Sequence, residues 1–274
     1  MKLLSGLELA AKLKARQSAR AKALLVKGIA PRLVIIQVKD DPAINTYVRL
    51  KQGYGAEIGV AVDIHFIPQT EAPTLIKQLN EDPTVHGIIV QLPLSDTGQT
   101  DEIVDLVAPA KDVDGLGSDA KFEPATPMAI MWLLEEHGIA LKAKRILVIG
   151  RGKLVGRPLL ETLNKLSFNP GVADENTSDL AEQVQAADVI ITATGQPGLI
   201  TSRMIKPGAV IVDAGVASEA GKTVGDLAEE VYQRQDISVT PPKGGVGPLT
   251  VCALFENVLA AASKAPPGSQ PSKT

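Results

Sequence analysis

Residues 145–158 read RILVIGRGKLVGRP, an apolar run followed by a glycine-rich turn. The run at 145–150 predicts a strand buried on both faces, and the residues after Pro158 predict a helix. Glycines at such a junction let the backbone approach a pyrophosphate, which the free N–H groups of the helix N-terminus attract. The spacing GxGxxxG differs from the common GxGxxG, so it carries weight only in this context. That context predicts a Rossmann-type domain with a nicotinamide-nucleotide site.

The chain alternates helices and strands on both sides of this stretch. Strands are predicted at 32–38, 63–66, 87–92, 145–150, 189–193, 209–213 and 237–240, and helices at about 6–26, 45–58, 73–80, 127–137, 159–165 and 249–262. Apolar strands separated by helices indicate parallel βαβ units. We therefore predict an α/β fold with two domains, 1–120 and 121–248, and a hinge near 117–127. The Pro/Ser-rich tail 265–274 is predicted to be disordered.

Bulk composition excludes several classes of protein. The 274 residues carry a net charge of −3 with both signs interspersed, which argues against a nucleic-acid partner. The single cysteine, Cys252, excludes an internal disulfide framework and fits a reducing cytosol. No apolar stretch approaches the ~20 residues of a membrane span. His65, His86 and His137 are scattered without metal-ligand spacing, so we expect no metal.

Polar residues follow the predicted strands of the first half. Tyr47 and Lys51 lie one turn apart on one face of the helix 45–58. Gln91 ends the strand 87–92, and Asp114-Gly115 forms a turn. Because ligands bind at the carboxyl ends of strands in open α/β sheets, these side chains are candidates for a binding site. Spacing alone also fits a lysine packed along an aromatic ring and an ordinary Asp-Gly turn.

The segment 240–250, TPPKGGVGPLT, predicts a rigid loop between a strand and the last helix. Its prolines fix φ, and its glycines allow close approach to a flat ligand. With DPAINTYVRLK at 41–51, QLPL at 91–94, KDVDG at 111–115 and GRGKLVGRP at 150–158, it resembles the bifunctional methylenetetrahydrofolate dehydrogenase/cyclohydrolase family. The resemblance extends in chain order over about residues 1–262. It implies that the helix 249–264 returns to the first domain.

The resemblance also implies an activity and a set of site residues. The enzyme would oxidise 5,10-methylenetetrahydrofolate to 5,10-methenyltetrahydrofolate and hydrolyse this to 10-formyltetrahydrofolate, as a cytoplasmic homodimer without nucleic-acid or membrane partners. The residues implied to be catalytic are Lys51, Gln91 and Tyr47. Those implied to bind the folate substrate are Tyr47, Asp114, Pro241, Gly244 and Gly245. Those implied to bind the cofactor are Gly150, Arg151, Gly152, Val155, Gly156, Glu175, Thr194, Gly195 and Val216.

Some positions depart from the family pattern. Ile44, Gly53, Tyr54, Ala125 and Lys243 replace its usual residues. Pro170 and Gly171 are poor strand residues, so the strand before Glu175 is expected to be short or irregular. Arg151 at the phosphate-contacting position favours NADP, whereas a carboxylate at Glu175 would favour NAD or lie in a solvated loop. We expect NADP, with NAD as the alternative.

Two further interpretations remain open from the sequence. One is another two-domain dehydrogenase of the shikimate type, which also uses a lysine and an aspartate. The other is a degenerate folate- or nucleotide-binding paralogue with reduced or single activity, which the substitutions around Lys51 and Lys243 permit.

Overall fold

The computed structural model describes residues 1–219 and 222–264. The helices are α1 (Leu7–Val26), α2 (Pro42–Ile58), α3 (Ala72–Glu81), α4 (Thr100–Val104), α5 (Ala125–Glu136), α6 (Gly156–Lys165), α7 (Leu180–Ala186) and α8 (Val246–Ala262). The strands are β1 (Lys2–Leu3), β2 (Arg32–Gln37), β3 (Ala61–Phe66), β4 (Gly87–Val90), β5 (Ile146–Ile149), β6 (Gly171–Ala173), β7 (Val189–Thr192), β8 (Val210–Asp213), β9 (Ala217–Glu219), β10 (Lys222–Val224) and β11 (Ser238–Val239). The predicted disordered tail, 265–274, lies outside the described residues.

The chain forms two compact units, which confirms the predicted two-domain α/β fold. The first unit, here called the N-terminal unit, contains Ala11–Ala125 and residues 251–264. The second, the nucleotide unit, contains Met1–Ala10 and Thr126–Thr250. The C-terminal helix therefore returns to the N-terminal unit, as expected. The first ten residues differ from the predicted domain 1–120, because β1 pairs with β11 of the nucleotide unit.

The N-terminal unit is built on a parallel sheet with strand order β3-β2-β4. Leu33 pairs with Gly87 on one side of β2 and with Val62 on the other. Every residue of β4 is buried, as a strand covered on both faces requires. One side of the sheet packs against α3 and α4 through a cluster of buried apolar residues that includes Val34, Ile36, Ile76, Ile88, Val90, Leu94 and Ile103.

The nucleotide unit contains a six-stranded parallel sheet with the order β1-β11-β8-β7-β5-β6. Its buried core includes Leu147, Ile149, Val184, Ile190, Ile200, Ile211 and Val239. The outermost strand β6 has three residues, in agreement with the short strand expected after Pro170. The glycine-rich turn follows the inner strand β5, so it lies at the carboxyl edge of the sheet.

Several elements differ from the predictions in their ends or their existence. Helix α2 begins at Pro42 rather than 45, because the Asp41 carboxylate accepts hydrogen bonds from the backbone N–H groups of Ala43 and Ile44. Strands β1, β9 and β10 and the helix α7 were not predicted, because two- to seven-residue segments show too little periodicity. None of the helices within the described residues is long and apolar enough to cross a membrane.

Candidate active site

Helix α2 presents the predicted Tyr47 and Lys51 immediately after strand β2. The connection is held by the Gln37 side-chain amide, which donates to Lys39 O at 2.8 Å and to Asn45 Oδ1 at 2.6 Å. Asn45 in turn donates to Asp40 Oδ1 at 2.7 Å. These bonds fix the start of α2 at the carboxyl end of the sheet, where open α/β sheets bind ligands.

Lys51 and Gln91 are in direct contact. The Lys51 Nζ atom donates a hydrogen bond to Gln91 Oε1 at 2.8 Å. Gln91 follows β4, and its own amide nitrogen donates to Leu92 O at 3.0 Å, which places Oε1 toward the lysine. The structure thus joins two residues that are far apart in the sequence and that were predicted to act together.

Asp114 is the third member of this polar group, and it interacts with Lys51 through its charge. Burial lowers the pKa of Lys51, and the charge of Asp114 partly opposes this effect. Burial likewise raises the pKa of Asp114, and the charge of Lys51 opposes that effect. Each group therefore stabilises the ionised form of the other, while desolvation favours both neutral forms. A lysine that loses its proton more easily than usual can exchange protons with a bound reactant.

The turn that carries Asp114 is anchored by a neighbouring carboxylate. Asp112 is buried and accepts hydrogen bonds from the backbone N–H groups of Gly115 at 3.0 Å and Gly117 at 2.8 Å. Asp112 thus acts within the loop and fixes the turn beside Asp114. The buried Asn257 of α8 donates to the carbonyls of Val113 and Glu123, both at 2.9 Å. Asn257 was not predicted, although it is a polar residue within an apolar helix.

Tyr47 is 39% exposed, so its ring has a free surface on α2. Burial of the rest of the side chain raises the pKa of its hydroxyl, which therefore remains protonated near neutrality. A partly exposed, neutral aromatic ring suits stacking on a flat ligand.

The loop with Pro241, Gly244 and Gly245 belongs to the nucleotide unit, and its glycines are explained in part by close contacts within that unit. Gly244 has a positive φ of 82°, and a Cβ on it would lie 3.0 Å from the Leu7 side chain. The Gly244 carbonyl accepts a hydrogen bond from Gly6 N at 2.8 Å. The loop is therefore held against the start of α1, which fixes its backbone before any ligand binds.

The glycine-rich turn after β5 has the tight geometry predicted for a nucleotide site. Gly150 has a φ of 100°, and a Cβ on it would lie 2.6 Å from Ala193 O. A Cβ on Gly156, the first residue of α6, would clash with the carbonyl oxygen of Gly150. Gly152 is exposed and has open space around it. No side chain among the described contacts caps α6 at Val155. Within the first turn the Arg157 N–H donates to Gly152 O at 3.1 Å and the Leu159 N–H to Val155 O at 2.9 Å.

The other predicted cofactor residues lie beside this turn. A Cβ on Gly150 would be 3.3 Å from the Thr194 side chain, and a Cβ on Gly195 would be 3.3 Å from Val216 O. Val216 is 54% exposed. The structure therefore brings together Gly150, Thr194, Gly195 and Val216 from the ends of β5, β7 and β8.

Two buried carboxylates, Asp213 and Asp226, organise these loops. Asp226 is fully buried and accepts from the Thr192 hydroxyl at 2.5 Å, Thr194 N at 2.7 Å and Gln196 N at 3.0 Å. Asp213 accepts from the backbone N–H groups of Gly215, Asp226 and Leu227. Burial, assisted by the charge of Asp226, raises the pKa of Asp213 to about 6. We call these residues the Asp213–Asp226 pair.

Arg151 and the acidic segment 174–175 meet at the ends of β5 and β6. Arg151 Nη1 lies 3.9 Å from Asp174 Oδ2. Glu175, the residue predicted from the sequence, is exposed. The acidic side chain that faces Arg151 is therefore Asp174, whereas the cofactor contact predicted from the sequence was for the adjacent Glu175 and stays a prediction.

The departures from the family pattern have different structural consequences. Ile44 is 5% exposed and joins the core. The Tyr54 hydroxyl donates to Gln17 Oε1 at 2.8 Å and contacts Cys252 Sγ at 3.2 Å, and its ring packs on Phe255. Tyr54 therefore joins α1, α2 and α8 inside the N-terminal unit. Ala125 is buried at the start of α5. Gly53 and Lys243 are exposed, and nothing in the structure explains these two residues.

Within residues 1–219 and 222–264, no group of three or more His, Cys, Asp and Glu side chains could hold a metal ion. The chemistry available at Lys51, Gln91 and Asp114 is proton transfer and hydrogen bonding.

Comparisons with known proteins agree across both units. Residues 4–114 match the model of the tetrahydrofolate dehydrogenase/cyclohydrolase catalytic domain, and residues 124–266 match that of the NAD(P)-binding domain of the same family. The bifunctional protein FolD of Nautilia profundicola is 36% identical over 277 residues, which cover 96% of this chain and 97% of that protein.

Solved structures give the same result. The chain is similar to a bifunctional methylenetetrahydrofolate dehydrogenase/cyclohydrolase from Campylobacter jejuni, with a TM-score of 0.89, 38% identity, and coverage of 96% of this chain and 99% of that one. It is also similar to a dehydrogenase-cyclohydrolase from Trypanosoma brucei complexed with NADP and an inhibitor, with a TM-score of 0.87 and 29% identity. That alignment covers 96% of this chain and 97% of the other.

Proposed function

The chain belongs to the tetrahydrofolate dehydrogenase/cyclohydrolase family, and from this premise we propose how its residues perform the two reactions. The enzyme oxidises 5,10-methylenetetrahydrofolate to 5,10-methenyltetrahydrofolate and hydrolyses the product to 10-formyltetrahydrofolate. Membership of this family rules out the shikimate-type dehydrogenase considered from the sequence.

The hydrogen bond from Lys51 to Gln91 is the observation on which the proposal for hydrolysis rests. With its lowered pKa, neutral Lys51 takes a proton from water as the water oxygen attacks the cationic methenyl carbon. The resulting Lys51 ammonium then donates a proton to N5 as the bond from carbon to N5 breaks. The hydroxyl proton of the intermediate leaves to solvent, which yields the N10-formyl product and one net proton.

Gln91 and Asp114 have separate parts in this proposal. Gln91 orients the lysine through its Oε1 atom and adds no charge, so it leaves the lowered pKa of Lys51 in place. Asp114 accepts hydrogen bonds from the amino group and ring N–H of the pterin, which form a matching pair of donors. Its charge also supports the Lys51 ammonium that forms during the reaction.

Each unit also offers an uncharged surface that suits a flat ligand. The exposed part of the Tyr47 ring stacks on the p-aminobenzoyl group of the folate. Pro241, Gly244 and Gly245 provide a flat, rigid backbone surface, because the Gly244 carbonyl is fixed by Gly6.

A nicotinamide nucleotide fits the turn after β5. The close packing of Gly150 and Gly156 leaves a backbone surface at the α6 N-terminus that a pyrophosphate can approach. Gly150, Gly152, Val155 and Gly156 would hold the pyrophosphate, and Thr194, Gly195 and Val216 the remainder of the molecule. When bound, the nicotinamide supplies the hydride acceptor for the oxidation. We propose NADP as the preferred form, because Arg151 supplies a guanidinium at the adenosine end of the site.

We expect a cytoplasmic homodimer, as in the family, and light scattering of the purified protein measures the oligomeric state. A coupled spectrophotometric assay with methylenetetrahydrofolate and each nucleotide tests the function itself. Formation and subsequent loss of methenyltetrahydrofolate would support both activities. Nucleotide and folate binding without turnover would instead support the degenerate paralogue.

A further inference from the structure

Arg151 and Asp174 follow the ends of two neighbouring strands, two residues after Ile149 of β5 and one residue after Ala173 of β6. Ile149 of β5 is in register with Ala173 of β6, and Gly150 N continues the ladder with a 2.9 Å hydrogen bond to Ala173 O. Both side chains therefore emerge at the carboxyl edge of the sheet, directly beside the glycine-rich turn. In Rossmann proteins an acidic residue about 20 residues beyond that turn accepts the ribose 2′-hydroxyl of NAD, whereas a nearby arginine accommodates the 2′-phosphate of NADP.

The Asp174 side chain is held in place by its own turn. Its Oδ1 atom accepts from Asn176 N at 3.0 Å, and its backbone N–H donates to Thr177 Oγ1 at 3.0 Å. These bonds leave the second oxygen, Oδ2, facing the guanidinium of Arg151 at 3.9 Å. That separation exceeds a hydrogen bond, so the two groups are held near each other by charge and Arg151 remains available to another anion.

We infer that Asp174 is a specificity-determining residue that competes with a 2′-phosphate for Arg151 and accepts a ribose hydroxyl when the phosphate is absent. This inference rests on the proposed nucleotide site. Like charges a few ångströms apart repel, so a 2′-phosphate bound by Arg151 also meets the Asp174 carboxylate. The preference of the wild-type protein for NADP over NAD is therefore small, and NAD is also a working cofactor.

Adenosine fragments test this inference without turnover. Calorimetry of the full chain with 2′,5′-ADP and with 5′-AMP measures the contribution of the 2′-phosphate alone. We expect wild-type protein to bind 2′,5′-ADP less than tenfold more tightly than 5′-AMP. Asp174→Asn should increase the affinity for 2′,5′-ADP by about tenfold while leaving that for 5′-AMP equal or weaker. The asparagine oxygen can still accept from Asn176 N, so the turn is retained, and Asp174→Ser provides a second variant with a turn-forming side chain.

Glu175→Gln is the matched control, because it removes the adjacent charge from an exposed side chain. It should change neither affinity by more than about twofold. When Arg151 is already replaced by alanine, Asp174→Asn should change the affinity for 2′,5′-ADP much less, since the effects of substitutions at two interacting residues are not additive.

The experiment distinguishes a failure of the proposed nucleotide site from a failure of the role inferred for Asp174. If wild type binds neither fragment and neither NAD nor NADP, the proposed nucleotide site is wrong and the inference fails with it. If the fragments bind but neither Asp174→Asn nor Asp174→Ser changes the ratio of their affinities, or Glu175→Gln changes it equally, Asp174 does not determine specificity and the proposed function stands.

Discussion

The Lys51 ammonium nitrogen and Gln91 Oε1 are joined by a 2.8 Å hydrogen bond between helix α2 and the end of strand β4. An amide oxygen orients a lysine without adding a negative charge that would raise its pKa. The pair thus combines a fixed position with a pKa that burial has lowered. This combination suits a group that must accept and then return a proton during hydrolysis.

Lys51→Met should reduce methenyltetrahydrofolate hydrolysis to near its spontaneous rate, because the only proton-transfer group assigned to this step is lost. General acid–base catalysis contributes about 10²–10⁴-fold, which sets the expected loss. Hydrolysis is followed by the decay of methenyl absorbance, and NADP binding by calorimetry should be unchanged. Lys77→Met, an exposed lysine of α3, is the control. Enzymatic hydrolysis that persists in Lys51→Met would contradict the assigned role.

Gln91→Glu should move the pH dependence of hydrolysis to higher pH. A carboxylate in place of the amide oxygen favours the protonated form of Lys51 and raises its pKa, so more alkaline solution is needed to obtain the neutral amine. The rate of the variant should recover as pH rises, whereas that of Lys51→Met should not. A pH profile of kcat identical to that of the wild type would show that Gln91 does not influence the lysine.

Asp114→Ala should weaken folate binding by ~1–3 kcal/mol, because the pterin donors lose their acceptor. Titration calorimetry with a folate ligand measures the loss directly. Asp119→Ala removes an exposed carboxylate from the same loop and serves as the matched control. If both variants bind folate like the wild type, Asp114 is a turn residue and makes no contact with the substrate.

The Asp213–Asp226 pair predicts a pH-dependent stability. The pKa of Asp213 is raised to about 6 from an ordinary value of 3.8, so the folded protein holds a proton that the unfolded chain releases. This group therefore stabilises the fold below about pH 4, and the contribution is lost as the pH rises to about 6. Between pH 4 and pH 6 the free energy of unfolding of the wild type should therefore fall by up to ~3 kcal/mol relative to that of Asp213→Asn.

Urea-denaturation midpoints from pH 4 to 7 measure this difference. Asp236→Asn is the control, because a hydrogen bond from Arg234 lowers the pKa of Asp236. Its contribution is lost only as the pH falls below about 4, so the difference between this variant and the wild type should stay constant from pH 4 to 7. If the difference in unfolding free energy between the wild type and Asp213→Asn does not change with pH, the pKa of Asp213 is not raised in the folded protein.

The sequence predicted the parts of the site that lie on regular elements. Helical periodicity placed Tyr47 and Lys51 on one face, and the apolar run before Gln91 located the end of β4. The hydrogen-bond partners of Asn257, Asp213 and Asp226 could not be predicted, because most of them are backbone groups in distant loops. These contacts depend on the folded chain rather than on any local pattern.

The acidic residue that faces Arg151 could not be chosen from the sequence for a different reason. Asp174 and Glu175 are adjacent and carry the same charge, and only the end of β6 decides which one faces the arginine. Because side chains alternate along a strand, a shift of one residue exchanges the two faces. Because Pro170 and Gly171 are poor strand residues, the sequence does not define where this strand ends, and its register was visible only in the structure.

Arg151→Ala should abolish the preference for NADP while sparing the use of NAD. The Arg151 guanidinium is the cation that we assign to the 2′-phosphate, whereas NAD has no phosphate there. Values of kcat/KM for both nucleotides, measured on wild type and variant, give the preference as a ratio. Glu175→Ser is the control and should leave the ratio nearly unchanged, because Glu175 is exposed and Asp174 is the residue that faces Arg151. A clear NAD preference in the wild type would mean that Asp174 outweighs Arg151. The cofactor assignment would then be NAD, with the folate chemistry at Lys51 unaffected.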